Sequence, residues 1–112
     1  MNITHLNNWL EIPRDFTGIN IWADGSKTWI KNGKRHREDS PAYIENSGYK
    51  EWWLDGFWVW NSNIAKLDLT NKFILSKSPH PNYPTIQVWK ILDSVGIYEQ
   101  IVIPGMEEFI KE

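Results

Sequence analysis

Cysteine is absent from the 112-residue chain, so disulfides and thiolate metal sites are excluded and nothing marks an oxidising compartment. Long apolar runs are absent too. No window approaches the roughly twenty apolar residues that a helical membrane span needs, and Met1 to Pro13 lacks a basic stretch followed by an apolar one. Neither membrane insertion nor secretion is expected, and a cytoplasmic location fits best. An excess of one charge is also missing. Twelve Lys and Arg stand against 14 Asp and Glu, a net charge of −2, which argues against a nucleic-acid binder held by bulk electrostatics while allowing a local basic patch. Catalytic signatures are missing as well: there is no nucleophile elbow, phosphate loop or dinucleotide glycine pattern. The length allows one domain, 1–112, with a modest core.

Aromatic content is the outlier, with eight tryptophans. Half of them, Trp52, Trp53, Trp58 and Trp60, lie in the stretch from Lys31 to Trp60, which also carries the densest charge and turn signals at Asn32-Gly33, Ser47-Gly48 and Asp55-Gly56. A shift of 23 residues superposes Ile21 on Ile44, Gly25 on Gly48, Lys27 on Lys50, Trp29 on Trp52 and Gly33 on Gly56. The matches fall on turn glycines and on one strand face, so the spacing predicts two 23-residue hairpin repeats over 17–60. Phe57 to Trp60 starts a further strand, with no polar residue on either face, as expected of a strand covered on both sides. Lys72 to Ser76 supplies another.

Outside the repeats, Thr4 to Leu10 reads as a short helix capped by Thr4, with Leu6, Trp9 and Leu10 on one side. The three prolines in 78–84 predict an extended connector without ladder hydrogen bonds. Thr85 to Leu92 reads either as a helix ending at Gly96 or as a strand turning at Asp93–Gly96 into Ile97 to Ile103. Its β-branched residues favour the hairpin. Gly105 to Ile110 reads as a short terminal helix whose Glu107 and Glu108 form a solvated end, not a catalytic pair. The expected class is thus mainly β: an antiparallel meander of repeated hairpins, a C-terminal hairpin over 85–112, and short terminal helices.

The run Asn32-Gly33-Lys34-Arg35-His36-Arg37-Glu38-Asp39-Ser40-Pro41-Ala42, followed by Gly48, Lys50, Trp52-Trp53 and Gly56, resembles a MORN-like hairpin repeat of the type NGKxHRxDGPA, then GxKxWWxxG. Such repeats occur in uncharacterised bacterial, phage and giant-virus proteins. Ser40 stands where the pattern has glycine, and the second unit lacks the HRxD element. The resemblance implies a β-meander used for binding, in a family with no agreed enzymatic activity, and an accessory role against a host.

Three functional classes follow. The first is a non-enzymatic protein-binding module, most concretely a phage- or mobile-element-encoded inhibitor of a host defence system, directed at a host protein or ribonucleoprotein complex. Trp53, Trp58 and Trp60 are its expected anchors, with Lys34, Arg35 and Arg37 at a charged rim. The second is a nucleic-acid binder using the Lys31 to Arg37 turn and nearby aromatic faces. The third is a small hydrolase or nuclease with His36 as general base and Asp39 orienting it, although Asp39 suits a turn fixture and Arg37 a carboxylate across the meander. His5, His36 and His80 are too scattered to suggest a metal site, and no cofactor is expected. Self-association into a homodimer is the other use for surplus aromatic surface. Within Tyr49 to Leu54, Trp52 and Trp53 must point to opposite faces, so each face of that strand needs a cover or an interface. Thr85 to Phe109 is the expected cover for one of them.

Overall fold

The computed structural model describes residues 2–63 and 67–111. With 45% of residues in strands and 7% in helical turns, the protein is mainly β. The strands in chain order are β1 (Asn2–Thr4), β2 (Gly18–Ile21), β3 (Lys27–Lys31), β4 (Lys34–Arg35), β5 (Tyr43–Ile44), β6 (Lys50–Leu54) and β7 (Phe57–Asn61). There follow β8 (Leu67–Asp68), β9 (Phe73–Pro79), β10 (Gln87–Leu92), β11 (Ile97–Val102) and β12 (Ile110–Lys111). The first seven form one sheet in the order β1-β2-β3-β5-β6-β7, with β4 also on β3. A second sheet runs β11-β10-β9, and β12 pairs with β8.

Turn chemistry explains the hairpins. Asn32 and Gly33 have φ of 50° and 74°, and Asp55 and Gly56 have 51° and 82°. Two successive positive φ values define the turn whose twist matches the flanking strands, which is why Asn-Gly and Asp-Gly occupy these sites. At Gly33 space is decisive as well, because a Cβ would lie 2.5 Å from the Arg14 carbonyl oxygen. A second turn pattern recurs 23 residues apart. Trp22 N–H donates to Ser26 O and Glu45 N–H to Tyr49 O, both at 2.8 Å.

Register assigns side chains to two faces, because directly paired residues project to the same side. The pairs Asn20↔Thr28, Thr28↔Tyr43, Tyr43↔Glu51, Ile30↔Arg35 and Trp53↔Trp58 define a first face. The pairs Ile19↔Trp29, Lys27↔Ile44, Ile44↔Lys50, Lys31↔Lys34, Trp52↔Trp60 and Leu54↔Phe57 define a second. The N-terminal segment is tied to the first face through buried Asn20. Its Oδ1 accepts from Thr4 Oγ1 and Leu6 N–H, both at 2.8 Å, and its Nδ2 donates to Leu6 O at 3.0 Å. The second face carries the apolar core, where Trp52 and Leu54 join Leu69, Ile86, Trp89, Ile91, Val102, Ile103 and Met106. Trp52, 1% exposed, donates its indole N–H to Pro104 O at 3.2 Å and meets Phe109 edge-on at 5.5 Å. The C-terminal segment therefore covers this part of the sheet, as its sequence predicts.

Several expectations need correction. The sheet is mixed, because β1 runs parallel to β2. Thr4 caps no helix; it lies in β1, and the first helical element is a single 3-10 turn, Trp9–Glu11, capped by Asn8. The C-terminal helix is likewise one 3-10 turn, Met106–Phe109. Leu6 follows the chain across Asn20, which takes precedence over helical spacing. The proline-rich connector contributes to a ladder after all, since Ser78 and Pro79 end β9 opposite Val88 and Gln87. Pro79 is tolerated there because β9 is an edge strand. Phe57 and Trp58 are 76% and 44% exposed, so the start of β7 is not covered on both sides. The hairpin of β10 and β11 forms as expected, its turn held by Asp93 Oδ1 accepting from Val95 and Gly96 N–H.

Candidate interaction surface

On the first face an arginine is held between two indoles. The Arg35 guanidinium lies 4.1 Å from the Trp9 ring centre and 4.9 Å from that of Trp53. β4 supplies Arg35, β6 supplies Trp53, and the segment pinned by Asn20 brings Trp9 over both. Trp22 extends the row, stacked on Trp9 with centres 6.4 Å apart, its indole N–H donated to Thr28 Oγ1 at 2.8 Å. Trp53 is oriented by Glu51, whose Oε1 accepts from its indole N–H at 2.9 Å while Oε2 accepts from Tyr49 at 2.7 Å. Burial and that bond push the Tyr49 hydroxyl up to about 12. The protonated phenol donates to Glu51 and helps to hold it in place. Each cation–ring contact contributes about 0.5–2 kcal/mol depending on desolvation. The result is a stiff aromatic strip that ends at half-exposed Trp58, beside Trp53 in the ladder. An open depression of ≈ 510 Å³ adjoins the strip, lined among others by Trp22, Arg35, Tyr43 and Glu51.

The six residues singled out in the sequence separate in space. Trp53, Trp58 and Arg35 share the first face. Trp60 is opposite Trp52 and packs against the apolar core, and its indole N–H has no hydrogen-bond partner among the described residues. Lys34 is exposed on the second face, its stem 3.4 Å from the position a Cβ would take on Gly56. Arg37 stacks 3.8 Å over Trp29 and donates to Asp39 at 3.0 Å and to Pro41 O at 3.2 Å. Its carboxylate partner is therefore two residues along the chain and not across the sheet. Trp9 and Trp22 were missed as site residues because nothing local to them indicates that Asn20 folds their segment back.

His36 has a structural placement. The Asp55 backbone N–H donates to Nδ1 at 2.9 Å, and a backbone amide can only donate, so Nδ1 accepts and the ring proton sits on Nε2. Nε2 lies 2.9 Å from Glu38 Oε2 and donates to it. In that tautomer Asp55 Oδ1, 3.2 Å from Nδ1, is a neighbour and not a bonding partner. That carboxylate is instead claimed by the Tyr83 hydroxyl, at 2.7 and 2.8 Å to its two oxygens. Burial first, then this bond and the charge of Asp55, push the Tyr83 hydroxyl up to about 12. Asp39, the expected orienting group, contacts Arg37 and not the imidazole. Both ring nitrogens are engaged within the protein, and through Asp55 the arrangement ties the β6–β7 turn to Tyr83 of the Pro-rich segment. Among the described residues no group of three His, Asp or Glu side chains is placed to hold a metal ion, and no helix is long and apolar enough to cross a membrane.

Comparison with protein-family models, curated proteins and solved structures finds no match to this chain.

Proposed function

We propose that the protein is a non-enzymatic protein-binding module, in its most concrete form a phage- or mobile-element-encoded inhibitor that occupies a host defence protein or ribonucleoprotein. The observation that carries this reading is the Trp9–Arg35–Trp53 stack ending at half-exposed Trp58. Anchors that are already immobile lose little conformational entropy on binding, and large aromatic side chains dominate binding energetics. The reading makes Trp58 the outer anchor, Trp53 its support and Arg35 the clamp that fixes Trp53. Trp60 serves the core instead. The resemblance to MORN-like hairpins supports the same class, and so does the internal engagement of both His36 nitrogens. A duplicated 23-residue hairpin unit belongs to this proposal. Its support is the equal backbone conformation at Asn32-Gly33 and Asp55-Gly56, and at Gly25 and Gly48, whose φ values are 88° and 100°.

The test is affinity capture from nuclease-treated bacterial lysate with the native chain and with Trp58→Ala. Exposed Trp58 can be truncated without opening the core, so its variant should melt like the native chain. A stoichiometric protein retained by the native chain and lost at least tenfold with Trp58→Ala supports the reading. Equal recovery by both, or recovery of no protein, overturns it.

A further inference from the structure

The second face of the first sheet has a different character. Lys27, Trp29 and Lys31 alternate along β3 and so share this face, with Lys34 opposite Lys31 and Lys50 two strands from Lys27 through Ile44. At about 3.3 Å per residue and 4.8 Å per strand, the four lysines frame an area about 13 Å long and 10 Å wide. None of the four forms an ion pair among the described residues. Of the nearby carboxylates, Asp39 is paired with Arg37, while Glu38 and Asp55 accept hydrogen bonds from His36 and Tyr83. Trp29 lies between the lysines along β3, with the Arg37 guanidinium on its ring at 3.8 Å. A groove of ≈ 960 Å³ opens beside it, lined by Trp29, Lys31, Asn32 and Arg37 and, at its other edge, by His36, Glu38 and Asp39.

We propose that this face binds single-stranded nucleic acid: Lys27, Lys31, Lys34 and Lys50 neutralise backbone phosphates, and a base stacks in the groove against the Arg37–Trp29 pair. Lys31 Nζ lies over the Tyr83 ring at 5.3 Å and Lys50 Nζ donates to Gly48 O at 3.4 Å, contacts that leave both charges without a counter-ion. Lysines without a counter-ion and an aromatic and guanidinium platform are the two components such binding requires. The four positions are scattered over 24 residues of sequence, Lys27 to Lys50, and only the sheet brings them together. A net charge of −2 does not oppose this, because ions at distances beyond about 10 Å are largely screened at moderate salt. The site is independent of the aromatic strip on the first face, so the two proposals can fail separately.

The experiment is fluorescence anisotropy of labelled oligothymidylate and oligouridylate, titrated with the full chain at several salt concentrations. Four phosphate contacts predict a log–log salt slope of about −3. A Lys27→Ala/Lys50→Ala variant should bring it to about −1.4 with an unchanged melting curve, and Lys34→Glu should weaken binding at least tenfold at low salt. Trp58→Ala should bind as the native chain does. Absence of binding at low salt, an unaltered slope in the double variant, or equal affinity for polyglutamate would each overturn the proposal. The last outcome would identify the face as one for acidic protein.

Discussion

β3 and β6 lie 23 residues apart in sequence and follow the same turn chemistry, yet they bury opposite faces. On β3, Thr28 and Ile30 are buried while Trp29 and Lys31 are partly open. On β6, Trp52 and Leu54 are buried while Glu51 and Trp53 are partly open. The interior differs in kind as well as in direction. Beneath the N-terminal segment lie Asn20, Ser26 and Thr28, a small polar interior held by directed hydrogen bonds. Beneath the C-terminal segment lies an apolar core built on Trp52. A strand does not decide which of its faces is inside; the segment that returns to cover it does. Where the first sheet is left uncovered, its two faces differ again, one aromatic and the other lysine-rich.

Five substitutions test that contrast. The largest effect is expected from Trp52→Ala, which removes the central ring of the apolar side and should cost about 3–5 kcal/mol in denaturant unfolding. Its counterpart 23 residues earlier, Trp29→Ala, should cost well under half as much. On the polar side Asn20→Ala removes three hydrogen bonds to Thr4 and Leu6. A loss of about 2–3 kcal/mol is expected, together with loss of the near-ultraviolet dichroism from the Trp9–Trp22 stack, because the segment carrying Trp9 is released. A loss of stability with the stack intact would mean that another contact holds the segment.

Alkaline titration gives a smaller effect and reports on both regions. Tyr49 on the strip and Tyr83 behind His36 are both raised from 10.0 to about 12. A folded value above the unfolded one means that the contribution is complete below pH 10 and is lost as pH rises through about 12. Phenolate absorbance should show these two hydroxyls ionising late, and Tyr83→Phe should remove one of the two. Smallest of all is Lys31→Leu, which copies Leu54 onto the second face of β3, where Lys31 Nζ lies 5.3 Å from the Tyr83 ring centre. A change within about 0.5 kcal/mol is expected, and a clear gain in stability would show that apolar burial at this position outweighs the lost cation–ring contact.

Much of the strand content was readable. Asn-Gly, Asp-Gly and Asp93–Gly96 mark turns by a local requirement for backbone conformation, and β-branched residues marked β10 correctly as a strand. The opposite facing of Trp52 and Trp53 follows from period two. The direction of burial was only hinted at, by Lys31 standing where the later strand has Leu54. The helical reading of Thr4 to Leu10 failed because spacing cannot anticipate Asn20, ten residues beyond its end, as a hydrogen-bonding partner. For the site, Arg35 and Trp53 were found as charge and aromatic, but their mutual stacking depends on Trp9, 44 residues before Trp53. Lys27 and Lys50 lay outside the obvious basic cluster because clusters along a chain differ from clusters across a sheet.

The pairing of β6 with β7 contains an irregularity between Trp52 and Trp53. Trp52 is opposite Trp60, but Trp53 is opposite Trp58, so Val59 is the additional residue, and Val59 and Trp60 both pack against the core. In a regular ladder Trp58 and Trp60 would share a face, and Trp58 would stand opposite Leu54, the place that Phe57 now holds on the second face. The insertion of one residue thus moves an aromatic side chain from the core-bearing face to the face of the aromatic strip without changing its identity. Evolution can add or remove an aromatic side chain on the strip here by a codon's gain or loss, a shorter path than building a new tryptophan by successive point changes.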